Sequence, residues 1–356
     1  MRRTGPPGCL SSGWDEARRP AWHLPFGDLT RSGVSPTLTL PSLDPGARQR
    51  EAKQVAMPSL LDRTIAGLLP AVPRPIVRRV SSRYIAGEEF TAVVAAARAL
   101  AARNLRSTMD ILGENTDSVE KARPPAAAYL ELVNRQVEAG VDRNVSIKLS
   151  QLGLTSDREL CLESMRAIVA RSASHRGKVR IDMEDSSLTD ATLWVFKTLR
   201  ADYTNVGVVL QAYLHRTLAD IAALAPLTPD YRLCKGIYIE PAAVAIQDRA
   251  GINANFLRAL AAMFDGGSVV GIATHDAALI DGAKRLIAER RLGPDRYEFQ
   301  MLLGVQEKLR DRLVAEGHPL RVYLPYGREW YAYCMRRLKE NPSVAGHVFR
   351  AMLGLG

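Results

Sequence analysis

Val322-Tyr-Leu-Pro-Tyr-Gly327, followed directly by Arg328-Glu-Trp-Tyr-Ala-Tyr-Cys-Met-Arg-Arg-Leu-Lys-Glu-Asn341, reads as a short apolar strand, a turn marked by Pro325 and Gly327, and a helix. On that helix Tyr333, Arg336, Arg337 and Glu340 fall at i, i+3, i+4 and i+7 and so share one face. A second stripe, Trp330, Cys334 and Leu338, is apolar and suited to packing on a sheet. Two adjacent guanidiniums between an aromatic ring and a carboxylate can grip a small carboxylate in bidentate fashion. An isolated Arg-Arg pair is more often a solvated helix face. The rest of the chain decides between the two readings.

Working outward, the same strand-then-helix unit recurs. Strand-like runs occur at 107–112, 144–149, 179–183, 206–213, 232–238, 269–274, 299–303 and 320–324. Helical patterns follow them at roughly 118–140, 157–174, 188–200, 216–224, 253–264, 276–290, 306–316 and 328–340. Alternating βα units imply a parallel sheet, and eight of them in about 240 residues fit a closed (β/α)8 barrel of the TIM type. A doubly wound sheet is the alternative. The even repeat and the lack of a Gly-rich dinucleotide fingerprint favour the barrel.

Barrel chemistry collects at the C-terminal ends of the strands. Read in order, those ends carry Asp110 and Glu114, Lys148, Asp182 with Glu184, Gln211 and Tyr213, Arg232 with Lys235, Thr274-His275, Glu298 and Gln300, and Tyr323. Unpaired charges in a barrel are costly, so one or two of these, Asp110 and Glu298 first, are expected to be structural plugs. A whole ring of them points to a site.

Hydrophobic residues make up 47% of the chain and charged ones 24%, the balance of a globular protein with a sizeable core. No window reaches the ~18 apolar residues of a membrane span. The four cysteines have no metal-like or CxxC spacing, which suggests a reducing compartment and no metal site. The net charge of +10 is dispersed rather than blocked, so it gives little support to nucleic-acid binding.

Residues 1–56 are rich in Pro, Gly, Ser and Arg and lack apolar periodicity. A disordered extension is expected there, with Met57 as an alternative initiator. Residues 57–105 read as helices preceding the barrel, at 60–69, 75–84 and 88–104, and residues 106–345 as the barrel itself. A short tail, 346–356, follows.

Seven motifs in order carry a resemblance: Ser146-Ile-Lys-Leu-Ser150, Ile181-Asp-Met-Glu184, Val209-Leu-Gln-Ala-Tyr213, Arg232-Leu-Cys-Lys-Gly-Ile-Tyr238, Ala273-Thr-His275, Tyr297-Glu-Phe-Gln300 and Tyr333-Cys-Met-Arg-Arg337. Together the chain resembles the proline dehydrogenases, in particular the short bacterial, single-function form, over about residues 58–345. The resemblance implies an FAD enzyme that moves a hydride from C5 of L-proline to flavin N5, gives Δ1-pyrroline-5-carboxylate and passes electrons to a membrane quinone. It implies a cytoplasmic protein with peripheral contact at the inner face of the cell membrane.

Roles follow from the same resemblance. Arg336, Arg337 and Lys148 would clamp the proline carboxylate, with Tyr333 beside them. Tyr323 would pack on the proline ring, Asp182 would hold the cationic cluster, and Arg232 would reach flavin N5. Met183, Gln211, Lys235, Gly236, Ile237, Thr274, His275 and Glu340 would line the FAD, with Gly236 allowing close backbone approach to it. The acceptor of the amine proton is left open between water and Asp182. Two other readings stand beside this one: a flavin barrel of the methylenetetrahydrofolate reductase type, and a basic nucleic-acid-binding regulator.

Overall fold

The structure is a computed structural model that describes residues 77–78, 82–113 and 115–340, with side chains to residue 335. The expectations for residues 1–56, the helix 60–69, Glu114 and the tail 346–356 lie outside the described residues. So do those for the side chains of Arg336, Arg337 and Glu340.

Eight strands close into one parallel barrel in chain order: β1 (Arg106–Ile111), β2 (Asn144–Ile147), β3 (Lys178–Ile181), β4 (Val206–Gln211), β5 (Asp230–Cys234), β6 (Val269–Ala273), β7 (Tyr297–Leu302) and β8 (Leu320–Tyr326). Strand β8 returns to pair with β1 from Arg106 opposite Arg321 to Ile111 opposite Tyr326. Helix α1 (Phe90–Ala101) precedes the barrel. The crossovers are α2 (Val119–Glu138), α3 (Arg158–Ser174), α4 (Thr189–Asp202), α5 (Thr217–Leu224), α6 (Arg249–Asp265), α7 (Ala277–Glu289) and α8 (Glu307–Ala315), and α9 (Trp330–Glu340) closes the series.

The alternation of each strand sorts its side chains. One set, including Val145, Ile147, Val179, Ile181, Val208, Leu210, Leu233, Ile272 and Phe299, is buried with helix residues such as Met165, Phe196, Phe256 and Leu260 in a single apolar cluster. The alternate set lines the barrel interior, and there the sequence is polar. Hydrogen-bonding caps fix where helices start: Asp157 accepts from Glu159 and Leu160 N–H before α3, and Asp276 from Ala278 N–H before α7. Asp248 accepts from Gly251 N–H, which starts α6 at Arg249, earlier than the 253 expected from apolar spacing.

Four strands, β2 to β5, stop two or more residues sooner than their expected runs. After β2 the chain turns into a 3-10 helix at Leu149–Leu152, and after β5 the segment from Lys235 leaves the sheet as a loop. In α9, Trp330 and Cys334 pack with Val77, Tyr84, Ile85 and Leu112, which seats the helix beside the loop after β1. The expected apolar stripe is thus a packing face as far as Cys334, but against these residues and not on the sheet, and Tyr333 and Met335 are buried in the same cluster.

Candidate active site

Because the strands pair in register, every second residue from neighbouring strands meets inside the barrel: Ser146 opposite Arg180, Val209 opposite Arg232, Ala273 opposite Gln300, Leu302 opposite Tyr323. Bulky polar groups fit because glycines on neighbouring strands leave room for them. A Cβ on Gly207 would lie 2.5 Å from Arg180 Nη1, and one on Gly271 would lie 2.4 Å from Gln300 Nε2.

At the C-terminal end these side chains form one network. Asp182 Oδ1 accepts from Arg232 Nη1 at 2.7 Å and from Ser146 Oγ at 2.7 Å, while Oδ2 accepts from the Tyr323 hydroxyl at 3.1 Å. Arg232 Nη1 also donates to Ser146 Oγ at 2.9 Å, and its Nε donates to Gln300 Oε1 at 2.5 Å. The Arg232 guanidinium carbon lies 5.3 Å from the centre of the Tyr323 ring, in cation–π range. Lys148 Nζ sits 3.0 Å from both oxygens of Asp110, 3.4 Å from the Tyr323 hydroxyl and 3.9 Å from Asp182 Oδ2. Two cations and two carboxylates therefore share one small volume.

Burial and charge oppose each other here. Burial pushes the Asp110 carboxyl above the usual range, and Lys148 only partly offsets it. Burial likewise disfavours the charged ammonium of Lys148, but Asp110 and Asp182 outweigh that and shift its pKa upward, so it stays a cation. The Tyr323 phenol is held well above its ordinary pKa by burial and the two aspartates, and remains an O–H donor.

Above the network opens a cavity of about 710 Å3, within the size range of cofactor sites. Lys148, Asp182, Arg232 and Tyr323 form part of its wall. Met183, Lys235, Gly236, Ile237, Thr274 and His275 contribute to the same wall, as does Tyr333 from α9. Gln211 lies behind rather than in the cavity wall, donating to the Glu184 carbonyl at 3.1 Å, and its Oε1 is buried without a partner among the described residues.

The wall residues expected to face a cofactor have their own supports. Lys235 and Arg249 converge on Asp276 Oδ2 at 2.6 and 2.8 Å and hold its carboxyl well below the usual range despite burial. His275 Nε2 accepts from Leu302 N–H at 3.0 Å, so that nitrogen is the unprotonated one and ties β6 to β7. Glu240 accepts from Ser186 N–H at 2.7 Å and Ser186 Oγ at 2.5 Å, pinning the loop after β5 to the loop after β3.

The strand-end reading needs two corrections. Arg232 and Tyr323 lie in mid-strand and reach the mouth only because they are long and point inward. Glu298 is the second residue of β7, at the opposite end, where it receives Arg321 Nε at 2.7 Å and Nη2 at 3.2 Å as the structural plug expected of it. Gly236 has φ +106, and a Cβ there would lie 2.1 Å from the ring of Tyr213, so this ring and the backbone angle account for the glycine. Asp110, expected as a plug, is the principal partner of Lys148. Ser146, Asp276 and Glu240 were not singled out from the sequence. Only Asp276 left a signal, as a helix N-cap directly after the Thr274-His275 pair.

The proline dehydrogenase family profile matches residues 93–350. The proline dehydrogenase of Deinococcus radiodurans is 40% identical over 279 residues, covering 77% of this chain and 90% of that protein. Proline dehydrogenase 2 of Bacillus subtilis strain 168 is 38% identical over 288 residues, 81% of this chain and 95% of that one. Among solved structures, proline utilization A from Bdellovibrio bacteriovorus, inactivated by N-propargylglycine, superposes with TM-score 0.70 at 24% identity, over 76% of this chain and 34% of that one, a likeness of fold. With the family profile spanning the barrel and relatives of this identity covered almost end to end, the chain belongs to the proline dehydrogenase family, enzymes that oxidise proline to Δ1-pyrroline-5-carboxylate.

Proposed function

We propose that the polar network and the cavity above it oxidise L-proline with FAD as resident cofactor and pass the electrons to a membrane quinone. The observation that carries the proposal is the charge balance at the cavity foot. Lys148 and Arg232 are both committed to aspartates yet line the cavity, so an entering carboxylate meets preset cations rather than reorganising them.

Enzymes of this family are generally flavin-dependent, and the residues here suit a flavin. The wall combines apolar surface from Met183, Val209, Ile237, Met301 and Leu302 with the cations Lys235, Arg249 and Arg232. Met183, Lys235, Gly236, Ile237, Thr274 and His275 would hold it, with Gln211 and Glu340 as further contacts. Bound FAD supplies the two-electron acceptor, and a nearby guanidinium such as Arg232 would favour its reduced, more negative form.

Arg336 and Arg337 follow Tyr333 by three and four residues on α9, and Tyr333 lines the cavity. That spacing supports their closing on the proline carboxylate together with Lys148. Tyr323, fixed by Asp182 and Lys148, would present its ring to the pyrrolidine. Asp182 already accepts three hydrogen bonds and faces a second cation, so its role is to position Arg232 and Tyr323. The amine proton then leaves to water.

Ile237 and Ile239, exposed on the loop bordering the cavity, offer an apolar lip that suits a lipid-soluble acceptor. Among the described residues no helix is long and apolar enough to cross a membrane, so contact with a quinone would be peripheral.

The test is anaerobic stopped-flow reduction of the bound flavin by L-proline and, separately, by NADH. Proline should bleach the flavin and NADH should not; the reverse pattern would support the methylenetetrahydrofolate reductase-like reading. Arg336→Met and Arg337→Met should each lower kcat/KM for proline by roughly ten- to a hundredfold, at about 1.4 kcal/mol per tenfold. Flavin content should persist. Parental kcat/KM in both variants would remove the clamp.

A further inference from the structure

The N-terminal mouth of the barrel, opposite the site described above, holds a second cavity of about 440 Å3. Five cations line it, Arg106, Arg143, Arg176, Lys178 and Arg321, against one carboxylate, Asp142. They come from the starts of β1, β3 and β8 and from the loops that lead into β2 and β3.

Two of the five are already neutralised. Arg321 is buried and donates to Asp142 Oδ2 at 2.7 Å and to both oxygens of Glu298. Lys178 lies 2.8 Å from Asp230, which it shares with Arg180. The other three are exposed and poorly compensated. Arg106 reaches Glu298 only at 3.4 Å, a carboxylate that Arg321 already engages. Arg143 spends Nη1 on the His175 carbonyl at 2.7 Å, a bond that orients the guanidinium without supplying negative charge. Among the described residues neither Arg143 nor Arg176 forms an ion pair. Arg176 also stands at φ +57, a left-handed position that disfavours a residue with a Cβ.

Three guanidiniums held around one cavity, with only the Glu298 carboxylate that Arg106 shares with Arg321 to offset them, repel one another. A multivalent anion would relieve that repulsion, and planar guanidinium forks fit the oxygens of a phosphoryl group. From this we propose that the N-terminal mouth is a binding site for a phosphoryl-bearing anion, either free in solution or carried on a lipid headgroup. The proposal is independent of the proline reaction, which occupies the other end of the barrel.

The test uses the full-length, flavin-loaded enzyme. Isothermal titration with inorganic pyrophosphate at constant ionic strength measures the free anion. Flotation with vesicles of phosphatidylcholine, with and without phosphatidylglycerol, measures the headgroup. The variants are Arg176→Asn, since asparagine tolerates the left-handed backbone, and Arg143→Gln. Arg285→Gln, exposed on α7, controls for lost net charge.

Saturable binding of pyrophosphate, or flotation only with the anionic vesicles, is expected from the parent. Either Arg176→Asn or Arg143→Gln should weaken it by roughly tenfold or more, while Arg285→Gln leaves it unchanged. Loss confined to the titration identifies a free anion, and loss confined to flotation identifies a lipid headgroup. Turnover of proline should stay at the parental level in all three. No saturation in either assay, or equal weakening by Arg285→Gln, would overturn the site.

Discussion

Arg232 Nη1 on β5 lies 2.7 Å from Oδ1 of Asp182, the residue that follows β3, and this buried ion pair crosses the barrel beneath the cavity. It fixes the guanidinium at the cavity foot before any ligand arrives. Through Gln300, which accepts from Arg232 Nε and donates to Glu298 at 2.7 Å, it also joins the polar column that ends at Arg321. The barrel interior is thus held by charge and hydrogen bonds, and the apolar core lies outside it, between strands and helices.

Breaking that pair should cost both stability and turnover. Asp182→Asn leaves Arg232 buried beside a neutral amide, and removing one partner of such a pair costs about 3–5 kcal/mol. Thermal unfolding should show the loss, and kcat/KM for proline should fall by at least roughly a hundredfold as Arg232 and Tyr323 lose their anchor. Tyr323→Phe removes only the hydroxyl and should cost about tenfold or less. A Tyr323→Phe loss equal to that of Asp182→Asn would contradict this ordering.

Asp110 is what keeps Lys148 charged. Its carboxylate raises the Lys148 pKa against the opposing effect of burial, so Asp110→Asn should lower it. The rise of KM for proline on the alkaline side should then begin at a lower pH in the variant than in the parent. Superimposable KM–pH profiles would show that Lys148 does not hold the substrate carboxylate.

Gly236 allows no side chain. With φ +106 and the Tyr213 ring behind it, Gly236→Ala must displace the loop that carries Lys235 and Ile237, at a cost of order 1–3 kcal/mol. The expected result is weaker flavin retention on dialysis with secondary structure unchanged by circular dichroism. Full flavin occupancy in Gly236→Ala would separate this loop from the cofactor.

At the opposite end, Arg180 and Lys178 hold the Asp230 carboxyl at about 2, below its ordinary 3.8. The folded state therefore takes up this proton at a lower pH than the unfolded chain. The resulting stability is fully present above about pH 4 and is lost as pH falls toward about 2. Asp230→Asn should lose about 2 kcal/mol or more at neutral pH, since it also leaves Arg180 unpaired, and should flatten the stability–pH slope in that window. An unchanged slope in denaturant titrations would show that another acid controls it.

The eight βα units, their order and nearly all helix positions could be read from the chain, because apolar periodicity and capping residues are local properties. So could five polar groups: Lys148, Asp182, Arg232, Tyr323 and His275 were identifiable as polar residues in or at the ends of apolar strands, and the structure brings all five to one cavity. Their partners depend on the closure of the barrel. Asp110 meets Lys148 from the neighbouring strand, and Arg232 meets Gln300 two strands away and Ser146 across the interior. A strand's own alternation says which residues share a face but not whether that face is oily or charged once eight strands surround it. Gly207 and Gly271 show the difference. In sequence they are weak points in two strands; in the barrel they are the spaces filled by Arg180 and Gln300. Contacts of that kind join residues from about 30 to over 200 positions apart, and only the folded chain makes them neighbours.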